Sequence, residues 1–106
     1  MVRLGELLLI INSLALKYYI HNSELPMREK YKKLICNRIK FLLKESNLTA
    51  EALAYQSGIS KGGMSEILNC KKSPSTFTIA KICSGLNISL DAFYADKDIR
   101  KFVEEL

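Results

Sequence analysis

The feature that most constrains this chain is a pair of short helical patterns separated by a single glycine, Gly58. Thr49 precedes a run of small and apolar residues and can act as an N-cap, because its hydroxyl accepts a hydrogen bond from an unpaired backbone N–H. Gly58 lacks a Cβ and can adopt the left-handed conformation that ends a helix and turns the chain. Ser60 can then cap the next helix. The pattern predicts two helices, over 49–57 and 60–69, joined by a tight turn.

The second of these helices divides into an inward and an outward face. Met64, Ile67 and Leu68 recur at helical spacing, so we expect them to face the core. A helix, a glycine-containing turn and a second helix form the pattern of a helix-turn-helix, whose second helix can enter the DNA major groove. The same pattern also fits an ordinary helical hairpin in a small bundle. The residues expected to face outward are Lys61, Gly62, Gly63, Ser65, Glu66 and Asn69.

The residues that follow favour the DNA-binding interpretation, because 73–94 supply a second loop and two further helices, beginning at Ser75 or Thr76 and at Ser89. The positions that carry the pattern are Arg38, Ile39, Leu42, Leu48, Thr49, Glu51, Leu53, Ala54, Gly58, Ile59, Ser60, Ser65, Ile67, Lys71, Pro74, Ile79, Ala80, Leu86, Ile88, Ser89, Leu90 and Phe93. With these residues, 34–94 resemble the Cro/lambda-repressor type of helix-turn-helix domain, also called the XRE family. The resemblance implies an all-α fold: a five-helix lambda-repressor-like DNA-binding domain, here with an extra N-terminal apolar helix.

The resemblance also implies which residues meet double-stranded DNA. It assigns base reading to three positions, and Lys61 among them could bond the O6 and N7 atoms of guanine. Ala50 departs from the family, which often has a phosphate-clamping glutamine there, so that contact is expected to be missing. The base-reading positions are Lys61, Gly62 and Glu66. Groove-edge or phosphate contacts fall to Ser60, Gly63, Asn69, Lys71 and Lys72, and the expected DNA-binding set is completed by Thr49 and Ser65.

The net charge of +5 is concentrated on the proposed DNA-binding domain. Residues 27–95 carry eleven Lys and Arg against five Asp and Glu, a net +6, whereas residues 1–26 are neutral and 96–106 carry −1. Such a charge favours phosphate contact and counterion release. A generic lysine-rich solvated surface would give the same distribution.

Two departures from the family predict local structure. The family commonly pairs an arginine late in the first helix with a glutamate late in the recognition helix, and here Leu43 and Leu68 occupy those positions. Replacing both members of a buried ion pair by apolar residues is often neutral or stabilising, so we expect Leu43 to contact Leu68. Cys70 stands where glycine is usual, so we expect the left-handed turn to shift to Asn69.

The cysteines and the histidine argue against a metal site or an enzyme. Cys36 and Cys83 fall among apolar helix positions and are expected to be free core residues in a reducing cytosol, with Cys70 exposed after the recognition helix. His21 is the only histidine, and no metal-ligand spacing surrounds it. No nucleophile elbow or phosphate loop is present. We therefore expect no enzymatic activity, no metal and no cofactor.

The first 26 residues form a separate apolar extension. Its uninterrupted apolar run, Leu7 to Ile11, is far short of the ~20 residues that a membrane span needs, so we expect no membrane insertion. As a helix over 4–20 it could cover the domain, pair with a second copy or bind a partner protein. Residues 21–26 are interpreted as a linker and 27–45 as the first domain helix. The seam expected along the apolar helix consists of Leu4, Leu7, Ile11, Leu14 and Tyr18.

These observations predict three parts: an apolar helix and linker over 1–26, a helix-turn-helix domain over 27–95 and an amphipathic tail over 96–106. The expected function is a cytoplasmic, sequence-specific transcriptional regulator, a repressor that binds a two-fold operator as a homodimer. The tail is a second possible dimer interface. The alternative is an antitoxin-like or other protein-interaction module that uses the N-terminal helix and binds DNA weakly or not at all.

Overall fold

The computed structural model describes the backbone of residues 4–106 and the side chains of Glu6, 12–14 and 26–106. Over that range it contains helices and no strand, which confirms the all-α fold class. The helices are α1 (Leu4–Ser46), α2 (Ala50–Ser57), α3 (Lys61–Leu68), α4 (Thr76–Leu86), α5 (Leu90–Tyr94) and α6 (Lys97–Glu104). Among the residues that the structure describes, no helix combines the length and the apolar character needed to cross a membrane.

Helix α1 differs from the prediction. A linker was expected over 21–26, but the backbone is helical there and Pro26 lies inside a single helix of 43 residues. Proline removes one backbone donor, yet its fixed φ near −65° is compatible with a helix, so it weakens the element without ending it. The chain divides into two compact units, Met1–Lys30 and Tyr31–Leu106. The predicted limits of the three parts stay predictions.

In the N-terminal unit, most of the predicted apolar seam lies outside the described side chains. Leu14 is described, and 60% of its side chain is exposed. Its neighbours Asn12 and Ser13 are exposed as well. The predicted roles of Leu4, Leu7, Ile11 and Tyr18 therefore stay predictions.

The second unit has a core to which all of its helices contribute. Phe93 of α5 is fully buried at its centre, and Ile99 brings α6 into the same cluster. Tyr31 of α1 and Phe102 of α6 also contact each other, with ring centroids 5.5 Å apart. The buried members are Ile35, Ile39, Leu53, Ala54, Met64, Ile67, Ile79, Ile82, Cys83, Phe93 and Ile99. Because α2 and α3 both supply core residues, their orientation depends on this cluster.

Each of the helices α2 to α6 begins with a side chain that accepts a hydrogen bond from the backbone N–H three residues later. Such a cap contributes about 1 kcal/mol and defines where a short helix starts. The caps of the first four of these helices confirm the sequence prediction, and the choice between Ser75 and Thr76 falls on Ser75. The capping residues are Thr49, Ser60, Ser75, Ser89 and Asp96.

Left-handed residues end four of the helices. Gly58 has a φ of 67°, as predicted, and Asn47 and Asn87 follow α1 and α4, each with a φ of 59°. The turn after α3 was expected at Asn69, but Asn69 has a φ of −88° and the left-handed residue is Cys70, at 58°. Asn69 still donates its backbone N–H to Ser65 in the helical pattern, so the turn falls one residue later.

Candidate nucleic-acid interface

Helices α2 and α3 form the predicted helix-turn-helix. Gly58 ends α2 and donates its N–H to the carbonyl of Tyr55 at 3.2 Å. Ile59 donates to the carbonyl of Ala54 at 2.9 Å and packs its half-buried side chain against the core. Ser60 then accepts a bond from Gly63 at 3.0 Å and starts α3. The turn is therefore held by backbone bonds on one side and by a cap on the other.

The inward face of α3 matches the prediction. Met64 is 1% exposed and Ile67 is 4% exposed, and Leu68 is partly buried against the same core. Leu43 of α1 is also partly buried against this core cluster. The direct contact between Leu43 and Leu68 stays a prediction.

The outward face of α3 matches the prediction at five positions and differs at the sixth. Gly63 is half-buried, and a Cβ at this position would lie 2.9 Å from the Ser60 hydroxyl and 3.4 Å from Ile59. It therefore lies over the turn, where its N–H supports the cap. Gly62 faces open space, since a Cβ at that position would have no such neighbour within 4 Å. The exposed positions are Lys61, Gly62, Ser65, Glu66 and Asn69.

Two pairs of side chains on this face bond to each other in the free protein. The Lys61 ammonium lies 3.5 Å from a carboxylate oxygen of Glu51, at the start of α2, and both side chains are highly exposed. The Asn69 amide donates to the Ser65 hydroxyl at 3.2 Å. An exposed ion pair contributes little to stability, so DNA can displace it at small cost. Glu51 supported the resemblance, but the sequence carried no signal for its pairing with Lys61, since the two residues belong to different helices.

A shallow groove of about 480 Å³ lies between the start of α2 and the outward side of α3. Thr49, Ala50 and Glu51 form one wall. Lys61, Ser65 and Asn69 lie on the other wall, together with Met64 and Leu68. The groove thus brings together four of the sequence-predicted DNA-binding residues: Thr49, Lys61, Ser65 and Asn69.

The predicted phosphate-binding lysines lie in the loop that follows α3. Lys71 and Lys72 are exposed, and both donate their backbone N–H to the carbonyl of Glu66, at 2.9 and 3.3 Å. These bonds attach the basic loop to the end of the recognition helix. Its lysine side chains can therefore be reached by a ligand that also contacts α3.

Lys81 is a basic residue near this loop that sequence reasoning missed. Its ammonium lies 3.5 Å from the carbonyl oxygen of Gly58 and 5.4 Å from the ring centroid of Phe77, which is itself exposed. Lys72 and Lys81 line a common cleft of about 440 Å³. The two lysines lie in different segments of the chain, so only the tertiary fold could reveal the cleft.

Arg38 supported the resemblance to a DNA-binding domain, but its side chain serves the fold. Its guanidinium donates to the carbonyls of Phe93 at 2.7 Å and Ala92 at 2.9 Å, at the end of α5. It also lies 3.8 Å from the carboxylate of Asp96, which caps α6. Arg38 therefore connects α1 to α5 and to the start of α6.

The cysteines differ from the prediction. Cys36 and Cys70 are bonded to each other as a disulfide, with Cα atoms 5.7 Å apart, so neither is a free thiol. Cys36 is buried as expected, but Cys70 is half-buried rather than exposed. Their separation of 34 residues left no sequence signal for the pairing. Cys83 is the buried free cysteine that was predicted, and burial raises the pKa of its thiol.

A family model for the Cro/C1-type HTH DNA-binding domain matches residues 38–98, more than half of the chain. The chain belongs to this family. The match includes the whole of α2 to α5 and confirms the resemblance predicted over 34–94. Comparisons with curated proteins and with solved structures gave no match. A Cro/C1-type domain makes this chain a DNA-binding transcription regulator, of a family that is typically non-enzymatic.

Proposed function

We propose that this Cro/C1-type protein is a cytoplasmic repressor that binds a two-fold operator as a homodimer, with α3 in the major groove. The observation that carries the proposal is the outward face of α3, exposed at Lys61, Ser65 and Glu66 and continuous with the exposed lysines of the following loop. A recognition helix reads bases with residues near its N-terminus, and flanking cations contact phosphates. Binding at a promoter would exclude the transcription machinery without any chemical reaction.

The proposed roles follow from the chemistry of each side chain. Lys61 leaves Glu51 and donates to guanine, and Glu66 accepts from a cytosine amino group. Gly62 lets the backbone approach the base edges closely. Lys71 and Lys72 contact phosphates and release counterions. Shorter polar groups at the groove edge are supplied by Thr49, Ser60, Ser65 and Asn69, with the Gly63 backbone beside them.

The homodimer is proposed because one such domain covers a small part of a DNA site. A dimer places two recognition helices about one helical turn apart and matches a two-fold operator. Two surfaces could join the copies: the apolar seam of the N-terminal helix, and the exposed Val103 and Leu106 at the C-terminal end.

The proposal is tested by measuring the affinity of the full chain for random duplex DNA as a function of salt. The triple variant Lys61→Ala, Lys71→Ala, Lys72→Ala should bind more weakly, and its salt slope should be shallower by up to about 0.9 for each phosphate that is no longer neutralised. The matched control is Lys40→Ala, Lys97→Ala, Lys101→Ala, which removes the same charge from exposed positions outside the helix-turn-helix. Its slope should stay close to that of the unchanged chain.

Equal losses in the two triple variants would mean that net charge, not the face of α3, governs DNA binding. Absence of binding by the unchanged chain at low salt would overturn the regulator proposal. If binding is present, selection of a preferred duplex sequence from a random pool then identifies the operator.

A second candidate function is an antitoxin-like or other protein-interaction module. It is favoured by Leu14, whose side chain is 60% exposed on a helix of mainly apolar sequence. A contiguous exposed apolar patch usually meets a partner, and the apolar seam predicted for residues 4–20 would form one around Leu14. This alternative gains support if the purified chain is a monomer with no measurable affinity for DNA.

A further inference from the structure

The disulfide between Cys36 and Cys70 joins two parts of the domain that are distant in sequence. Cys36 lies in α1 and is 2% exposed, whereas Cys70 immediately follows the recognition helix and its C-cap Asn69. Their Cα separation of 5.7 Å falls within the range that bonded cysteines occupy, so the backbone of the fold can accommodate the bond. The bond therefore attaches the end of α3 directly to α1.

The attached turn carries the proposed phosphate-binding lysines. Cys70 has a φ of 58°, a left-handed conformation that is unfavourable for a residue with a Cβ. Lys71 and Lys72 follow it directly, and their path depends on that conformation. A covalent bond at Cys70 holds the turn in place, whereas a free Cys70 would be able to relax it.

We propose that Cys36 and Cys70 form a reversible redox switch that tightens DNA binding when the bond closes. This inference rests on the proposed function, because a cytoplasmic regulator works in a compartment that keeps thiols reduced. In such compartments, bonds between cysteines are mostly transient and catalytic or redox-sensing. The oxidant is a low-molecular-weight disulfide of the glutathione class.

The reaction is a balanced thiol–disulfide exchange in two steps. The more accessible Cys70, as thiolate, attacks one sulfur of the small disulfide, forms a mixed disulfide and releases one small thiol. The Cys36 sulfur then attacks the Cys70 sulfur and expels the second small thiol, which takes up the remaining proton. Two protein thiols are oxidised, and one small disulfide is reduced to two thiols.

The reduced state also has a partner for its buried sulfur. With the disulfide closed, the Cys36 sulfur lies 3.3 Å from the carbonyl oxygen of Leu68, at the end of α3, so a thiol freed at that position can donate to it. When the disulfide opens, the Cys36 thiol therefore keeps a hydrogen-bond acceptor, and the main change is that the turn at Cys70 is no longer covalently held. Because the lysines are then less well fixed before binding, the reduced chain should bind DNA roughly three- to tenfold more weakly.

The experiment compares the full chain treated with dithiothreitol and with oxidised glutathione. Peptide mapping by mass spectrometry establishes whether Cys36 and Cys70 are joined, and the dissociation constant is measured on the same duplex DNA in both states. Cys70→Gly removes the bond while supplying the residue that suits a left-handed turn, so it should fold and bind alike in both conditions. Cys83→Ala keeps both bonding cysteines and should retain the full response.

Tighter binding of the oxidised chain, lost in Cys70→Gly and kept in Cys83→Ala, supports the switch. Equal affinities in the two states, with the bond mapped, overturn the switch and leave the regulator proposal intact. If no bond forms between Cys36 and Cys70 under oxidising conditions, the switch is likewise overturned and the regulator proposal is left intact. Absence of DNA binding in both states overturns the proposed function and the switch together.

Discussion

At the scale of single residues, Arg38 shows how a family-typical side chain can serve the fold. Three backbone carbonyls near the end of α5 lie within 3.5 Å of its guanidinium, and a carboxylate lies beside it. The end of a short helix leaves carbonyls without intrahelical partners, and a charged donor satisfies them strongly. Since α5 has only five residues, this external bonding adds to the burial of Phe93 in fixing its position.

We predict that Arg38→Ala lowers the free energy of unfolding by about 2–3 kcal/mol, because the hydrogen bonds that it removes involve a charged donor. Urea denaturation followed by circular dichroism measures the change. Asp96→Asn is the matched control: asparagine can still cap α6, so only the ion pair is lost, at a cost below about 1 kcal/mol. A larger loss in Asp96→Asn than in Arg38→Ala would contradict this account.

Two acidic groups, the buried Cys83 thiol and the half-buried Tyr94 phenol, predict the response to alkaline pH. Burial raises the pKa of the Cys83 thiol above its usual 9.0, against a smaller opposing effect of a backbone hydrogen bond. Burial also raises the pKa of Tyr94 above 10.0, with further increases from the charges of Tyr31 and Cys83. The folded chain therefore holds these protons more firmly than the unfolded chain. Their contribution to stability is complete below about pH 9 and is lost as the pH rises through the folded pKa values.

We predict that the free energy of unfolding falls between about pH 8 and about pH 10.5, because the unfolded chain releases these protons first. Urea denaturation at both pH values measures the fall. Tyr94→Phe and Cys83→Ala should each show a smaller fall than the unchanged chain. If the free energy of unfolding falls as much in both variants as in the unchanged chain, groups other than Tyr94 and Cys83 cause the alkaline sensitivity.

At the scale of elements, adjacent glycines in the first turn of α3 have opposite roles. Gly62 faces open space, whereas Gly63 lies against the Ser60 cap and Ile59. A side chain at Gly62 would collide with no neighbouring atom, and it would stabilise the fold because it reduces the conformational entropy of the unfolded chain. A side chain at Gly63 has to displace the hydroxyl that starts the helix.

We predict that Gly62→Ala stabilises the domain by about 0.5–1 kcal/mol and that Gly63→Ala does not. Thermal unfolding of the two variants beside the unchanged chain provides the measurement, and each variant is the control for the other. Equal stabilisation by both substitutions would show that the Ser60 hydroxyl can shift away from a new Cβ at residue 63 without lowering the free energy of unfolding.

The sequence predicted the local features of these elements better than the distant ones. Thr49, Gly58 and Ser60 were recognisable because a cap or a left-handed turn depends on a few neighbouring residues. Pro26 lies inside α1 although the sequence predicted a linker there, since a proline weakens a helix without always ending it. The Cys36–Cys70 bond joins residues whose proximity only the tertiary fold creates, so no local pattern indicated it.

At the scale of the whole molecule, the proposed homodimer needs a surface that joins two copies. Leu14 lies on the seam predicted for the N-terminal helix, and its exposure leaves it available to a second chain. Ser13 is also exposed, and helical spacing places it on the side of the helix away from the predicted seam of Leu4, Leu7, Ile11, Leu14 and Tyr18. An aspartate at Leu14 would therefore place a negative charge on the seam, and an aspartate at Ser13 would place the same charge away from it.

We predict that the full chain sediments as a dimer and that Leu14→Asp weakens the dimer at least about tenfold, because a carboxylate would be buried in an apolar interface. Ser13→Asp should leave the dimer unchanged. Analytical ultracentrifugation across a concentration series measures both. A dimer that survives both substitutions would move the interface to Val103 and Leu106, and a monomeric unchanged chain would overturn the homodimer.

The open space around Gly62 has a consequence for how such a regulator could acquire new targets. Changes of function in proteins commonly reduce stability, because a new side chain disturbs old contacts. Within the part of the protein that the structure describes, there are no contacts to disturb at Gly62, and almost any replacement other than proline is a better helix former. A side chain there would, however, replace the close approach to the base edges that we propose for the Gly62 backbone. If α3 reads bases as we propose, a mutation there would change the preferred DNA sequence while strengthening the fold. Single substitutions at Gly62 could therefore give regulators that prefer different operators while keeping one stable fold.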